Sequence, residues 1–151
     1  IAGDKKLVKA IGKLQGQSTS CPNSIAQFAA IEALTGDQNS IIKMKKKFKK
    51  RRDLILKLLD NIPHISCIQP NGAFYVFPDF SYYLNTKTEK NEKIKTSSDL
   101  SMYFLNTTGV VSVSGESFGA PGYIRFSYAT SSETIKKAMY LINDSLKKLI
   151  F

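Results

Sequence analysis

The sequence predicts an α+β domain in which helices pack on a small sheet. Beyond Pro63 the apolar pattern changes from helical spacing to short β-rich runs, and helical spacing returns near Ser97 and again near Ser131. The resulting order of helix, strand, strand, helix, strand, strand and helix is typical of α+β folds. Hydrophobic residues make up 42% of the 151 residues, which is enough to build a core.

The first segment is predicted to be helical. Asp4 can cap a helix whose apolar residues recur at helical spacing to about Leu14. The polar stretch Gln15–Ser20 consists of small and hydrogen-bonding residues and ends at Cys21-Pro22. We therefore expect a loop there.

Two further helices are expected next. Asn23 or Ser24 begins the first of them, which carries apolar residues through Leu34. Asp37 caps the second and longest, which runs to about Asp60 with apolar residues on one face and lysines over the rest. A helix of this length can connect two domains.

The β-rich runs come next. Residues 65–68 and 73–77 are separated by the turn-type cluster 69–72, so they are predicted to be neighbouring strands. Residues 79–96 are polar and rich in lysine, which indicates a surface excursion.

The last third of the chain repeats helix and strand signals. A helix is predicted from Ser97 or Ser98 to Gly109, followed by strands over 110–113 and 123–128 with a glycine-rich loop between them. An amphipathic helix from Ser131 to about Leu149 completes the domain.

Composition narrows the functional class. The net charge of +10 can reflect an anionic partner or simply a lysine-rich surface. Cys21, Cys67 and His64 have neither the number nor the spacing for a disulfide framework or a metal site. No apolar run approaches the roughly 18 to 20 residues of a membrane span, and we expect a reducing, cytoplasmic location. The chain starts with Ile1 inside apparently ordered sequence, so we expect it to be cut from a longer one.

Arg125 is the strongest candidate for a functional residue. It alternates with Ile124 and Phe126, so strand geometry places it on the face opposite those apolar neighbours. A guanidinium is planar, stays charged and matches a carboxylate in a bidentate contact. A solvated sheet face explains the pattern equally well.

Two other segments could bind a ligand. The run Asn71-Gly72-Ala73-Phe74-Tyr75 places an aromatic pair after a turn, which could line a pocket or simply pack in the core. Residues 15–20 could present hydrogen-bond donors to an anion, although an ordinary loop has the same composition.

Together these segments resemble the class I pyridoxal-phosphate aminotransferases, in particular bacterial aspartate aminotransferases, some of which use prephenate. The matching runs are Leu14–Ser20, Asn23–Gln27, Pro70–Tyr75, Val113–Gly119 and Ile124–Thr130. They follow one another in the family's order, and the likeness covers essentially the whole chain.

The resemblance implies an architecture. Residues 1–36 would be the C-terminal remnant of the large cofactor-binding α/β domain, and residues 37–60 the interdomain connector helix. Residues 61–151 would be the small C-terminal domain of a fold type I pyridoxal-phosphate-dependent transferase, which closes over substrate.

The resemblance also implies site residues. Arg125 matches the arginine that grips the substrate's α-carboxylate, Phe74 an aromatic that lines the pocket, and Gly72 a point of close backbone approach. Gln17, Ser18 and Thr19 match a loop that reaches the active site of the partner subunit in the family's homodimers. Some relatives carry an arginine at the position of Gln15 that binds the substrate's second carboxylate, and this chain lacks it.

The implied reaction is transfer of an amino group from L-aspartate to 2-oxoglutarate. In the family, a lysine forms the Schiff base with pyridoxal 5'-phosphate and an aspartate pairs with its ring nitrogen. Both would lie upstream of Ile1, and the lysines present occupy solvated helix faces. We therefore expect no catalytic residue in this chain, no bound cofactor and no activity of these residues alone.

Two alternatives remain at this point. Eight of the ten residues in Lys43–Arg52 are basic, which would suit a small nucleic-acid-binding module, although no stacking platform or binding motif accompanies them. A solvated helix face, with no nucleic-acid partner, is favoured. The chain could also be a noncatalytic interaction protein. Without its partner domain, the helix Ser24–Leu34 and the inner side of the connector helix would expose apolar surface, which favours self-association.

Overall fold

The computed structural model describes residues 2–151 and divides them into two compact units, one ending at Lys43 and one spanning Met44–Phe151. The helices are Lys5–Ser18 (α1), Ser24–Thr35 (α2), Asn39–Leu59 (α3), Ser97–Thr108 (α4) and Ser132–Leu146 (α5). The strands are Tyr75–Val76 (β1), Thr86–Lys87 (β2), Lys93–Ile94 (β3), Val113–Ser114 (β4) and Ile124–Ser127 (β5). Ile1 lies outside the described residues, and the division at residues 36 and 60 stays a prediction.

Helix α1 begins as predicted and ends later. The Asp4 carboxylate accepts hydrogen bonds from the Lys6 and Leu7 N–H groups, which confirms the cap. The predicted loop over Gln15–Ser20 is wrong for Gln15–Ser18, which form the last turn of α1. The Thr19 N–H still bonds to the Gln15 carbonyl at 2.9 Å, and the chain leaves the helix only at Ser20, whose φ is 62°. Hydroxyl side chains can bond back to a helix carbonyl, so polar composition did not stop the helix.

Helix α2 has the predicted bounds and an unusual surface. The Asn23 side chain accepts the Ala26 N–H at 2.8 Å and caps the helix. Its apolar side chains are nevertheless exposed, with 74% of Phe28 and 82% of Leu34 accessible. A helix that is apolar on all sides is typical of a buried element.

Helix α3 agrees with the predicted long helix. The Asp37 carboxylate accepts the Asn39 N–H at 3.0 Å, next to the first turn. Near the other end, Ile55 and Leu59 are buried in the core of the second unit, while Lys57 is exposed. The apolar face therefore anchors the C-terminal half of α3 to the core.

The main sheet is antiparallel and has β5 at its centre, in the order β1-β5-β4. Val76 pairs with Phe126, and Val113 pairs with Arg125. Ile124 and Phe126 are buried, whereas Arg125 is half-buried on the other face. This confirms the alternation predicted from the sequence.

The predicted pairing of residues 65–68 with residues 73–77 is wrong. Only Ser66 takes part in β pairing, through an isolated bridge to Asp79, and β1 pairs with β5 instead. Residues 110–113 likewise contribute only Val113 to a strand. β propensity reports a fit to a half-buried pleated surface, and it cannot choose between a near and a distant partner.

The predicted surface excursion over residues 79–96 is also wrong. Phe80, Tyr83 and Ile94 are buried in the core, and the segment contains the two-stranded sheet β2–β3. The Phe80 ring lies 5.8 Å from the ring of Phe104 and 6.0 Å from that of Phe126. The lysines give the segment a polar composition, although its spaced apolar side chains are part of the core.

Helices α4 and α5 complete the core as predicted. Thr96 and Asp99 form a capping box at the start of α4, and Gly109 ends it in the left-handed conformation at φ 72°. The Ser131 side chain caps α5 by accepting the Thr134 N–H at 3.1 Å. The buried side chains of the two helices include Leu100, Phe104, Ile135, Ile142 and Leu146. The predicted α+β class, with helices packed on a small sheet, is confirmed.

A hydrogen-bonded network joins α4 to the loop before β5. The loop contains a 3-10 helix, Gly115–Phe118, whose Glu116 carboxylate accepts the N–H and hydroxyl of Ser97 at 2.9 Å each. The Ser97 hydroxyl in turn accepts the Gly122 N–H at 2.9 Å. A side chain at Gly115 would collide with the carbonyl oxygens of Ala120 and Tyr123, so this turn requires glycine.

The network affects the ionisation of Glu116. Burial alone would raise the pKa of its carboxyl, but hydrogen bonds from the Glu116 backbone and from Ser97 and Ser114 favour the charged form. Together they hold the pKa of Glu116 below its ordinary value. The ionised carboxylate therefore stabilises the fold.

We expect Glu116→Gln to lower the free energy of unfolding at neutral pH. We also expect it to make the free energy of unfolding less dependent on pH in the acid range. Because the pKa is lower in the folded state, the stabilisation is present above the ordinary pKa and is lost as pH falls through the folded value. Urea unfolding at about pH 7 and about pH 3.5 should show a difference from wild type that shrinks in acid. Glu89→Gln, on an exposed residue, is the control. An equal difference at both pH values would contradict this prediction.

We also expect the chain to self-associate through the apolar side chains of α1 and α2. Light scattering over a dilution series should give a mass above that of one chain, because large exposed apolar patches favour association. Replacing Phe28 and Leu34 by serine should restore a monomer, whereas Gln27→Ser, on the same helix, should not. A wild-type chain that remains monomeric at every concentration would count against this expectation.

Candidate functional site

Arg125 lies on β5 over two aromatic rings. Its Cζ atom is 4.3 Å from the centre of the Tyr75 ring and 4.6 Å from that of the Phe118 ring. Tyr75 belongs to β1, and Phe118 lies in the loop after β4, so one ring comes from a strand that flanks β5 and the other from a loop. Both distances are within the range of a favourable cation–π interaction.

The Arg125 guanidinium has no acidic partner among residues 2–151. The ion pairs in this part of the chain join Arg52 to Asp53 and Lys148 to Asp144. An aromatic ring occupies a face of a cation without accepting hydrogen bonds from its in-plane N–H groups. The half-buried Arg125 guanidinium therefore carries a positive charge and free N–H donors, from which a carboxylate could accept hydrogen bonds.

Phe74 contacts Tyr75, the residue whose ring lies against Arg125. The rings of Phe74 and Tyr75 are 4.4 Å apart, and 40% of Phe74 is exposed. Its backbone is held because the Phe74 carbonyl accepts the Tyr128 N–H at 2.9 Å and the Ala73 carbonyl accepts the Tyr128 hydroxyl at 3.1 Å. The Phe74 ring also lies 6.3 Å from that of Phe48, and its predicted role in lining the pocket stays a prediction.

Gly72 is exposed at the turn before Phe74 and Tyr75. An added Cβ atom would have no neighbour within 4 Å among the described residues, so nothing in this part of the chain requires glycine there. Its predicted role in close backbone approach stays a prediction.

Gln17 and Ser18 are the last residues of α1, and Thr19 is its C-cap. All three side chains are exposed, and the Ser18 and Thr19 hydroxyls donate to the Gln15 carbonyl at 3.4 Å each. They belong to the unit that ends at Lys43, whereas Arg125, Phe74 and Gly72 belong to the other unit. Their role at a partner's active site stays a prediction.

Sequence reasoning missed the part of the site supplied by Phe118. Tyr75 entered only as one member of an aromatic pair, although its pairing with Ser127 puts it on the Arg125 face of the sheet. Phe118 lies in a glycine-rich loop without periodic pattern, so no local signal could have placed it near Arg125. The matching motif Val113–Gly119 was the one available hint.

The basic run on α3 is divided between two kinds of residue. The arginines have partners within the fold: Arg52 pairs with Asp53 at 2.7 Å and donates to the Pro70 carbonyl at 3.2 Å, and Arg51 lies over the Phe48 ring. The lysines of the run are exposed. The run thus consists of two anchored arginines and a set of lysines open to solvent.

Residues 2–151 contain neither a cluster of metal ligands nor a membrane-spanning helix. This part of the chain has no group of three His, Cys, Asp or Glu side chains that could hold a metal ion. None of its helices combines the length and apolar character that crossing a membrane requires. Every lysine in it is exposed.

Comparison with known proteins gives consistent matches. The family model for aminotransferase class I and II matches residues 1–142. A probable aspartate/prephenate aminotransferase of Rickettsia typhi is 43% identical over 148 residues, which are 98% of this chain and 37% of that protein. The structure of the aspartate aminotransferase from Rhizobium meliloti matches with a TM-score of 0.91 and 37% identity, over 98% of this chain and 37% of that one.

A further match is a structure of the Thermus thermophilus aspartate aminotransferase with maleate, at a TM-score of 0.78 and 33% identity, over 95% of this chain and 35% of that one. The chain therefore spans little more than a third of the length of the relatives it matches. These findings confirm the resemblance inferred from the motifs. The chain belongs to the aminotransferase class I and II family.

Proposed function

We propose that this chain forms the substrate-closing part of an aminotransferase, in which Arg125 holds the α-carboxylate of the substrate. The observation that carries the proposal is the Arg125 guanidinium itself, half-buried over Tyr75 and Phe118 with no acidic partner among residues 2–151. A charge in this position without a partner costs stability unless a ligand compensates it.

The reaction proposed for the whole protein is transfer of an amino group from L-aspartate to 2-oxoglutarate. Relatives are named aspartate/prephenate or aspartate aminotransferase, and one related structure is described with maleate, a dicarboxylate. Amino acid and 2-oxo acid both carry a carboxylate next to the carbon that reacts. One arginine can therefore bind the substrates of both half-reactions.

The residues of this chain would bind and orient. Two parallel N–H···O contacts from Arg125 fix both the position and the rotation of a carboxylate, and hence the direction of the bonds at its α-carbon. Phe74 would line the apolar side of the pocket, and Gly72 would allow the backbone to approach. Gln17, Ser18 and Thr19 would complete the site of the second subunit of a homodimer.

Pyridoxal 5'-phosphate supplies the electron sink in this family, and the described residues do not fit its attachment. A Schiff-base lysine must be deprotonated, which requires burial or a neighbouring cation, and every lysine of residues 2–151 is exposed. We therefore assign no catalytic residue to this chain and propose that these residues alone bind no cofactor. The cofactor and its lysine would belong to the rest of the enzyme, with a cytoplasmic location.

We expect Arg125→Lys to weaken the binding of maleate to the 151-residue chain by about tenfold or more, because a lysine cannot form the bidentate contact. Titration of isotope-labelled protein, followed by nuclear magnetic resonance, measures this affinity. Arg51→Lys is a matched control, since Arg51 also lies over an aromatic ring, that of Phe48. Equal maleate affinity in the Arg125→Lys and wild-type chains would refute the proposed contact.

We expect no internal aldimine when the 151-residue chain is mixed with pyridoxal 5'-phosphate at equimolar concentration. No lysine of residues 2–151 has the buried surroundings that activate a Schiff-base lysine. Absorbance spectroscopy, followed by borohydride reduction and mass spectrometry of the peptides, measures attachment. Stoichiometric modification of a single lysine would contradict the prediction, whereas scattered traces on many lysines would agree with it.

A further inference from the structure

We propose that Phe118 is a positioning residue for Arg125: its ring holds the guanidinium in place before a carboxylate arrives. This inference rests on the proposed carboxylate contact of Arg125 and adds a residue on which its affinity depends. The main observation is the distance of 4.6 Å between the Arg125 Cζ atom and the centre of the Phe118 ring.

Core packing does not account for the position of Phe118. Its side chain remains 48% exposed, whereas the core phenylalanines Phe80 and Phe104 are fully buried. Among the described aromatic residues, Phe77 is its ring neighbour, with centres 5.9 Å apart in an edge-to-face arrangement. The Phe118 ring thus lies outside the buried core, beside Arg125 and Phe77.

The backbone at Phe118 is held on both sides. It ends the 3-10 helix whose Glu116 carboxylate is bound to Ser97, and the following Gly119 N–H donates to the Glu116 carbonyl at 3.2 Å. Gly119 has a φ of 67°, which turns the chain sharply after Phe118. The ring is thus placed by a hydrogen-bonded loop and not by the sheet.

A fixed ring matters because arginine has many rotamers. Ordering a long side chain costs conformational entropy, and a ligand that must order it binds more weakly. Tyr75 and Phe118 order the guanidinium through their ring faces and leave its in-plane donors free. Losing one of two rings should weaken carboxylate binding by about 3- to 10-fold, the range of a single cation–π contact.

The experiment compares Phe118→Leu, which removes the ring, with Phe118→Tyr, which keeps it, in the labelled 151-residue chain. Tyr140→Leu is the control, because Tyr140 is a 71% exposed aromatic residue on α5. Two quantities are measured: the dissociation constant for maleate, and the chemical shift and mobility of the Arg125 Nε–H group. The second reports on the guanidinium directly and is not changed by a general loss of stability.

We expect Phe118→Leu to bind maleate about 3- to 10-fold more weakly, with a more mobile Arg125 Nε–H group whose ring-current shift keeps only the contribution of Tyr75. Phe118→Tyr and Tyr140→Leu should match wild type in both measurements. If Phe118→Leu does not fold, Phe118→Met provides the same comparison.

The possible failures are distinguishable. Unchanged maleate affinity and unchanged Arg125 mobility in Phe118→Leu would overturn the positioning role and leave the carboxylate contact intact. If Phe118→Tyr binds maleate as weakly as Phe118→Leu does, the positioning role is also overturned, because an aromatic ring at this position would then not be sufficient. A wild-type chain that does not bind maleate at Arg125 would overturn both proposals.

Discussion

Strand β5 is the element on which the second unit depends, because it must satisfy hydrogen bonds on both edges and packing on one face at once. Its edges pair with β1 and β4, and its inner face buries Ile124 and Phe126 against the helices. A shift of one residue in either pairing would move Arg125 into the core and both apolar side chains out of it. Burial of a charge without a partner is costly, so the register is strongly specified.

The position of Arg125 follows from this constraint, but its surroundings do not. The two flanking strands are only two residues long, and what they contribute to the site comes at or beyond their ends. Tyr75 reaches Arg125 from β1, whereas Phe118 reaches it from the loop that Glu116 ties to Ser97. The hydrogen bond between Ser97 and Glu116, which are 19 residues apart in sequence, thus holds the loop that brings the Phe118 ring to Arg125.

Local chemistry explains which elements were predicted correctly. The helix starts at Asp4, at Asn23 or Ser24, and at Ser131 were predicted correctly. The side chains of Asp4, Asn23 and Ser131 each accept a backbone N–H within three residues, which is a local preference of these residue types. The end of α1 was missed because its hydroxyl side chains continue the helix where their composition suggested a loop. Residues 79–96 were misjudged because four lysines and other polar residues lie among the three buried apolar side chains of that segment.

The sequence by itself determined the family, the α+β class, the helix caps and the face of β5 that carries Arg125. These depend on ordered motifs, on local hydrogen bonds and on the two-residue period of a strand. Only the tertiary structure decided that β1 pairs with β5 and that Phe80 enters the core. It also decided that Phe118 lies against Arg125. Those contacts join residues distant in sequence or placed by an irregular loop, and they are selected by the packing of the whole unit and not by any local preference.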